Sequence, residues 1–232
     1  MISIKHDLAT SLGGEFYFRS EEIGKETKID IKTSHLSFIK FSGPVLDNFE
    51  VIGRVKLLRT FLPIINFEVS PFNNEKTCII MSKLMYLTFL SFHDFQSVDI
   101  LPDSIGELIH LPYLNLSRTS IKTMPESLCN LYNLQTLNLS TCFKLIYLPS
   151  CTQNLVNLHH FDIVETSIKE MPRGMGKLHH LQHLDFFIVG KHKENGIKEL
   201  GELSNLHGSL SIRKLDNVTK TDEALEARIM KK

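Results

Sequence analysis

The chain has 232 residues, 42% of them hydrophobic and 22% charged, with Lys plus Arg and Asp plus Glu balanced at 26 each. Such a composition suits a folded domain, gives no basic field for nucleic acid, and includes no apolar run near the roughly 18 residues that a membrane span needs.

In chain order, Ile4, Leu8 and Leu12 recur at helical spacing, Gly13 and Gly14 stop that helix, and Glu15–Arg19 reads as a short strand. Ser20 to Ser34 is charged and weakly apolar, as in an exposed connector. His35–Phe41 and Leu57–Leu62 predict two irregular strands, with a long polar loop from Asn66 to Thr77.

From Leu84 to Phe187 one phrase recurs. Leu111, Leu134, Leu158 and Leu181 are 23, 24 and 23 residues apart, and Pro102, Pro125, Pro149 and Pro172 keep the same intervals. A period in this range reading L-x-x-L-x-L is the leucine-rich-repeat signature. Its physical meaning is a solenoid of units that cannot bury their apolar residues alone. The predicted fold class is α/β, a solenoid with a curved parallel sheet on its concave side and an irregular, short-helical convex side.

Strand alternation points Leu90/Phe92, Leu114/Leu116, Leu137/Leu139, Phe161/Ile163 and Leu184/Phe186 inward. Ile121, Leu145 and Ile168 dock from the convex side. The Leu/Met-Pro step then prevents a long helix, and Ile105, Leu128 and Met175 begin the return. Phe95, Thr119, Cys142, Thr166 and Val189 share the position after each strand, where a hydroxyl or thiol can bond a turn carbonyl. Thr152 departs from the apolar pattern of Ile105, Leu128 and Met175. After a polar insertion over 190–196, Leu203–Leu206 and Leu210–Ile212 resume the repeat, and 222–230 carries helix signals.

Alternation leaves Phe89, His93, Tyr113, Asn115, Asn138, His160, Asp162, His183, Asp185 and Phe187 outward on the concave sheet as the candidate protein-binding face. Exposed aromatics among polar neighbours are the residue types that anchor protein interfaces. His160 with His183, and Asp162 with Asp185, fall on adjacent rungs. A flat sheet splays such side chains, so they read as cross-strand pairs, with no metal or cofactor site. No nucleophile with a fixed base accompanies them, which argues against an enzyme.

Cys78, Cys129, Cys142 and Cys151 form no C-x-x-C pair or regular framework, and Met1 precedes no apolar signal core, which points to the cytoplasm and unpaired thiols. Formal glycosylation sequons at Asn115, Asn138 and Asn217 speak for the alternative, an extracellular leucine-rich-repeat protein binding a peptide or carbohydrate. Two of the three are by-products of the repeat phrase.

The unit L-x-x-L-x-x-L-x-L-S-x-(T/C)-x-x-(I/L)-x-x-(L/M)-P, together with Leu128-Cys-Asn-Leu-Tyr-Asn-Leu-Gln-Thr-Leu, Met171-Pro-Arg-Gly-Met and Asp222-Glu-Ala-Leu-Glu-Ala-Arg-Ile, resembles plant intracellular nucleotide-binding leucine-rich-repeat disease-resistance proteins of the coiled-coil class. The resemblance implies a recognition and regulatory region in plant defence. Its partners would be a pathogen-derived or guarded host protein and a nucleotide-binding module in cis or trans. It also implies a winged-helix remnant over 1–20, a linker over 21–34, the solenoid over 35–215 and a truncated terminal helix over 216–232. Laid on the family's M-H-D-L-x-x-D-L-A motif by Asp7-Leu8-Ala9, Ile2 and Ser3 replace the nucleotide-sensing His and Asp. No G-x-x-x-x-G-K-(S/T) phosphate loop occurs in the sequence.

Overall fold

The computed structural model describes residues 16–23, 27–41, 52–63 and 74–219, with 225 and 227. Eight parallel strands in sequence order make the main sheet: β1 (Tyr17–Ile23), β2 (His35–Phe41), β3 (Thr60–Pro63), β4 (Phe89–Ser91), β5 (Tyr113–Asn115), β6 (Thr136–Asn138), β7 (His160–Asp162) and β8 (His183–Leu184). A second parallel pair joins β9 (Phe186–Ile188) to β10 (Ser211–Arg213). One strand per unit, each paired in register with the next, is the solenoid that the period predicts.

Register follows the leucine columns. Leu90 lies opposite Leu114, Leu114 opposite Leu137, and Leu137 opposite Phe161. All four are buried, as are the second-column residues Phe92, Leu116, Leu139 and Ile163. Backbone bonds extend the ladder past each short strand, from Phe92 N–H to the Asn115 carbonyl, Leu116 N–H to that of Asn138, and Leu139 N–H to that of Asp162. The residue that turns the chain out of the sheet is left-handed in four successive units, at Asp94, Arg118, Thr141 and Glu165. None is glycine, so this turn carries no sequence signal.

The return side is built from 3₁₀ turns at Asp103–Glu107, Glu126–Asn130, Thr152–Asn154 and Met175–Lys177. Few residues separate each proline from the next strand-leading leucine, so only a tight turn fits. Each turn buries the residue at one shared position, Ile105, Leu128, Thr152 or Met175, and three of the four also bury the next residue, Gly106, Cys129 or Gly176. The Thr152 hydroxyl donates to the Pro149 carbonyl at 2.6 Å, which satisfies a polar group in an apolar position. In three units a side-chain bond ties the end of the return to the unit before it: Asn133, Asn157 and Asn205 donate to the carbonyls of Ile109, Tyr132 and His179.

Four expectations need correction. β1 already pairs with β2, so the sheet begins within the segments assigned to a winged-helix remnant and a linker. The polar loop to Thr77 gives way at Asn74 to helix α1 (Asn74–Lys83), whose Asn74 side chain bonds the Asp99 and Ile100 amides of the next unit. Cys129 and Cys151 are joined by a disulfide rather than left unpaired, while Cys78 is free and exposed and Cys142 free and buried. Finally, Phe186 is only partly buried and Phe187 is fully buried, the reverse of the predicted parity. The chain bends at Asp185, between β8 and β9, and the parity of β9 changes, so that Phe187 rather than Phe186 lies on the buried side opposite Ile212. Of the terminal helix, most of 216–232 lies outside the described residues, as do Ile2, Ser3 and the helix predicted over Ile4–Leu12.

The post-strand position behaves as its chemistry predicts. Thr119 donates to the Leu116 carbonyl at 2.8 Å, Thr166 to that of Ile163 at 2.9 Å, and the Cys142 thiol to Leu116 at 3.1 Å. Burial pushes the Cys142 thiol above its ordinary pKa, which makes it a packing residue and a poor nucleophile.

Candidate functional site: the exposed face of the sheet

The outward residues divide into those that build the face and those that it displays. Asn115 Oδ1 accepts the Ser117 amide at 2.9 Å and the Ser117 hydroxyl at 2.6 Å, and Asn138 does the same for Ser140 at 2.9 and 2.7 Å. Asp162 Oδ1 accepts the Val164 amide at 3.0 Å. These side chains staple the turn after the strand, so only their remaining polar atoms face outward. His93 Nδ1 lies 2.7 Å from Ser117 Oγ, whose proton goes to Asn115, so that nitrogen donates.

Tyr113 stacks on Phe89 with ring centroids 4.3 Å apart and planes 6° from parallel. Two units further on, His160 stacks on His183 at 4.6 Å, and His183 meets His207 edge to face at 4.5 Å. His160, His183 and His207 are exposed. Burial, then the neighbouring His183, His159 and His207, hold His160 below the ordinary imidazole pKa, which favours its neutral form. Beside it, burial, the charge of Asp162 and a hydrogen bond with Asp162 raise the Asp185 carboxyl above its ordinary value. A cavity of about 260 Å³ adjoins the histidines, lined by Leu184, Leu206, His207, Leu210 and Ile212 among others.

Nine of the ten predicted face residues therefore fall on one side of the sheet, and Phe187 does not, being buried opposite Ile212. Ser91 and Ser117, outward by alternation, are also buried. His207 is an addition. It follows Leu206 by one residue, whereas His160 and His183 follow Leu158 and Leu181 by two, and this shift with the irregular 26-residue step from Leu184 to Leu210 hides the correspondence. The histidine and aspartate ladder runs along the sheet instead of converging. Among the described residues, the group of ligand atoms within 4.8 Å of one another is Glu126, Cys129 and Cys151, on the return side, where both sulfurs are already bonded.

The Leucine-rich repeat region family matches residues 69–231. The chain belongs to the leucine-rich-repeat family. Two Arabidopsis thaliana relatives named as disease resistance proteins align along nearly all of it: At3g14460 at 41% identity over 100% of this chain, and RPP13-like protein 1 at 39% over 98%. This leucine-rich-repeat chain spans 16% and 22% of their respective lengths. Among solved structures, the plant peptide hormone receptor RGFR1 in complex with RGF2 superposes with a TM-score of 0.59 at 19% identity, covering 85% of this chain and 31% of that one. The ectodomain of the Arabidopsis thaliana receptor kinase GASSHO1 gives 0.57 at 20%, covering 84% and 26%. At such identities these structures establish the leucine-rich-repeat fold alone.

Proposed function

We propose that this chain is the recognition and regulatory repeat region of a plant immune receptor, non-enzymatic and cytoplasmic. The observation that carries it is the exposed ladder His160–His183–His207 with Asp162 and Asp185, set in a repeat region that aligns over its whole length with disease resistance proteins. An extended face of aromatic rings and carboxyl groups beside a largely apolar cavity suits a protein ligand, pathogen-derived or host, because rigid rings give contact area at low entropic cost. The stacked Phe89–Tyr113 pair with His93 forms a separate patch nearer the N-terminal end of the array. We assign that patch to a nucleotide-binding module in cis or trans.

The Cys129–Cys151 bond favours a second reading, an extracellular repeat protein, because oxidising compartments preserve disulfides. The sequons speak less for it than their sequence suggests. Asn217 Nδ2 donates to the Val189 carbonyl at 2.8 Å, and the Asn115 and Asn138 side chains are half-buried in their turns.

Co-precipitation with a nucleotide-binding module from the same receptor class tests the first reading. Tyr113→Ala should weaken the association, and the triple variant His160→Ala, Asp162→Ala, Asp185→Ala should leave it intact. Equal binding by all three chains, or none by any, contradicts the assignment of two surfaces.

A further inference from the structure

Cys129 occupies the position that Gly106 and Gly176 hold in other units, and Cys151 the position of Ser104, Ser127 and Gly174. Neighbouring units approach closely there. A Cβ on Gly106 would lie 2.5 Å from the Ser127 carbonyl oxygen, and one on Gly176 3.0 Å from Glu202 Cβ. At the one step where both positions are cysteine, the Cα atoms are 5.9 Å apart and the side chains are bonded, a separation that disulfides favour.

Glu126 holds the second cysteine in place. Its carboxylate accepts the Ser150 amide at 2.8 Å, the Ser150 hydroxyl at 3.0 Å and the Cys151 amide at 3.3 Å. Those bonds, the Ser150 amide foremost, hold the Glu126 carboxyl below its ordinary pKa, so the clamp stays charged at neutral pH. Cys129 is buried, whereas Cys151 is half-exposed and within reach of solutes.

We propose that Cys129 and Cys151 are a reversible thiol-oxidation site that responds to hydroperoxides and ties together the units carrying β6 and β7. The Cys151 thiolate attacks a peroxide oxygen, the O–O bond breaks, and the leaving hydroxide takes a proton to become water. The Cys129 thiolate then attacks the Cys151 sulfur and displaces a second hydroxide, protonated likewise. Two thiols are oxidised to a disulfide while one hydrogen peroxide is reduced to two waters, and a dithiol reductant reverses the change. Closing the bond restricts the unfolded chain across 22 residues of sequence and prevents the two units from parting.

The experiment uses the full chain with Cys78→Ser, which removes the exposed competing thiol. The chain is reduced with dithiothreitol, freed of reductant, treated with hydrogen peroxide, alkylated in denaturant and mapped by mass spectrometry. The expected product has lost two hydrogens, joins the Cys129 and Cys151 peptides, leaves Cys142 alkylated, and melts several degrees higher than the reduced chain. Dithiothreitol should return both properties to their starting values. Cys151→Ser should show neither change, and Glu126→Gln should form the same bond more slowly. Alkylation of both cysteines after peroxide, over-oxidation without pairing, or a joined product with the melting point of the reduced chain would each overturn the proposal.

Discussion

At the scale of single residues, the exposed face separates by hydrogen bonding. Asn115 and Asn138 spend their carbonyl oxygens on the turn that follows each strand, whereas the His160 and His183 rings rest on one another. Burial first, and then the neighbouring imidazoles, which repel a second positive charge, depress the pKa of His160. The sign follows: the folded chain binds this proton less readily than the unfolded chain. His160 therefore opposes folding as pH falls below the ordinary imidazole range, and its penalty disappears above it. Asp185 acts oppositely. Its raised pKa means that the folded state takes up a proton more readily, so its stability contribution grows as pH falls through that raised value and fades above it. An NMR titration should place the His160 midpoint below that of an unstructured histidine, and His183→Ala should move it upward. An unchanged midpoint in that variant would remove His183 as a cause.

At the scale of elements, what was legible depended on whether two residue types kept one register. Leucine and proline do so over four units, which is why the inward columns and the 3₁₀ returns match the sequence reading. The phrase Phe186-Phe187-Ile188-Val189 holds no polar residue to mark its outer side, so alternation alone could not reveal the bend at Asp185. The structure instead covers Phe186 with Arg213, whose Cζ lies 3.7 Å from the ring centroid, and buries Phe187. Phe187→Ala should therefore cost about 3–5 kcal/mol, and Phe186→Ala on the order of 1 kcal/mol for its exposed cation–π contact. Urea denaturation of both variants checks this, and a reversed order would restore the simple alternation. The Cys129–Cys151 pair left a trace in the sequence as well. Their separation of 22 is two less than the 24-residue step between those two units, which places them side by side on successive return turns.

At the scale of the whole molecule, a solenoid contacts only its neighbours along the chain, so stability accumulates unit by unit and any face can vary if the columns hold. That separation lets one repeat phrase support recognition. The inward residues Leu114, Leu137, Phe161 and Leu184 are buried between adjacent units, and the outward Tyr113, Thr136, His160 and His183 between them carry no core packing. The first strands were harder to read because their units lack the phrase, yet β1 to β3 continue the same sheet. The face itself was largely legible, since strand parity is simple physics; His207 and Phe187 were not, because both lie where the step between units changes length.

The most direct test of this separation is urea denaturation of two variants beside the parent chain. One carries Leu137→Ala, and the other carries Thr136→Ala, His160→Ala and His183→Ala together. The separation of columns predicts a loss of about 2–5 kcal/mol for the single inward change. It predicts no more than about 1 kcal/mol for the three outward changes combined, the scale of one ring contact. Equal losses, or a larger loss for the outward triple, would contradict it.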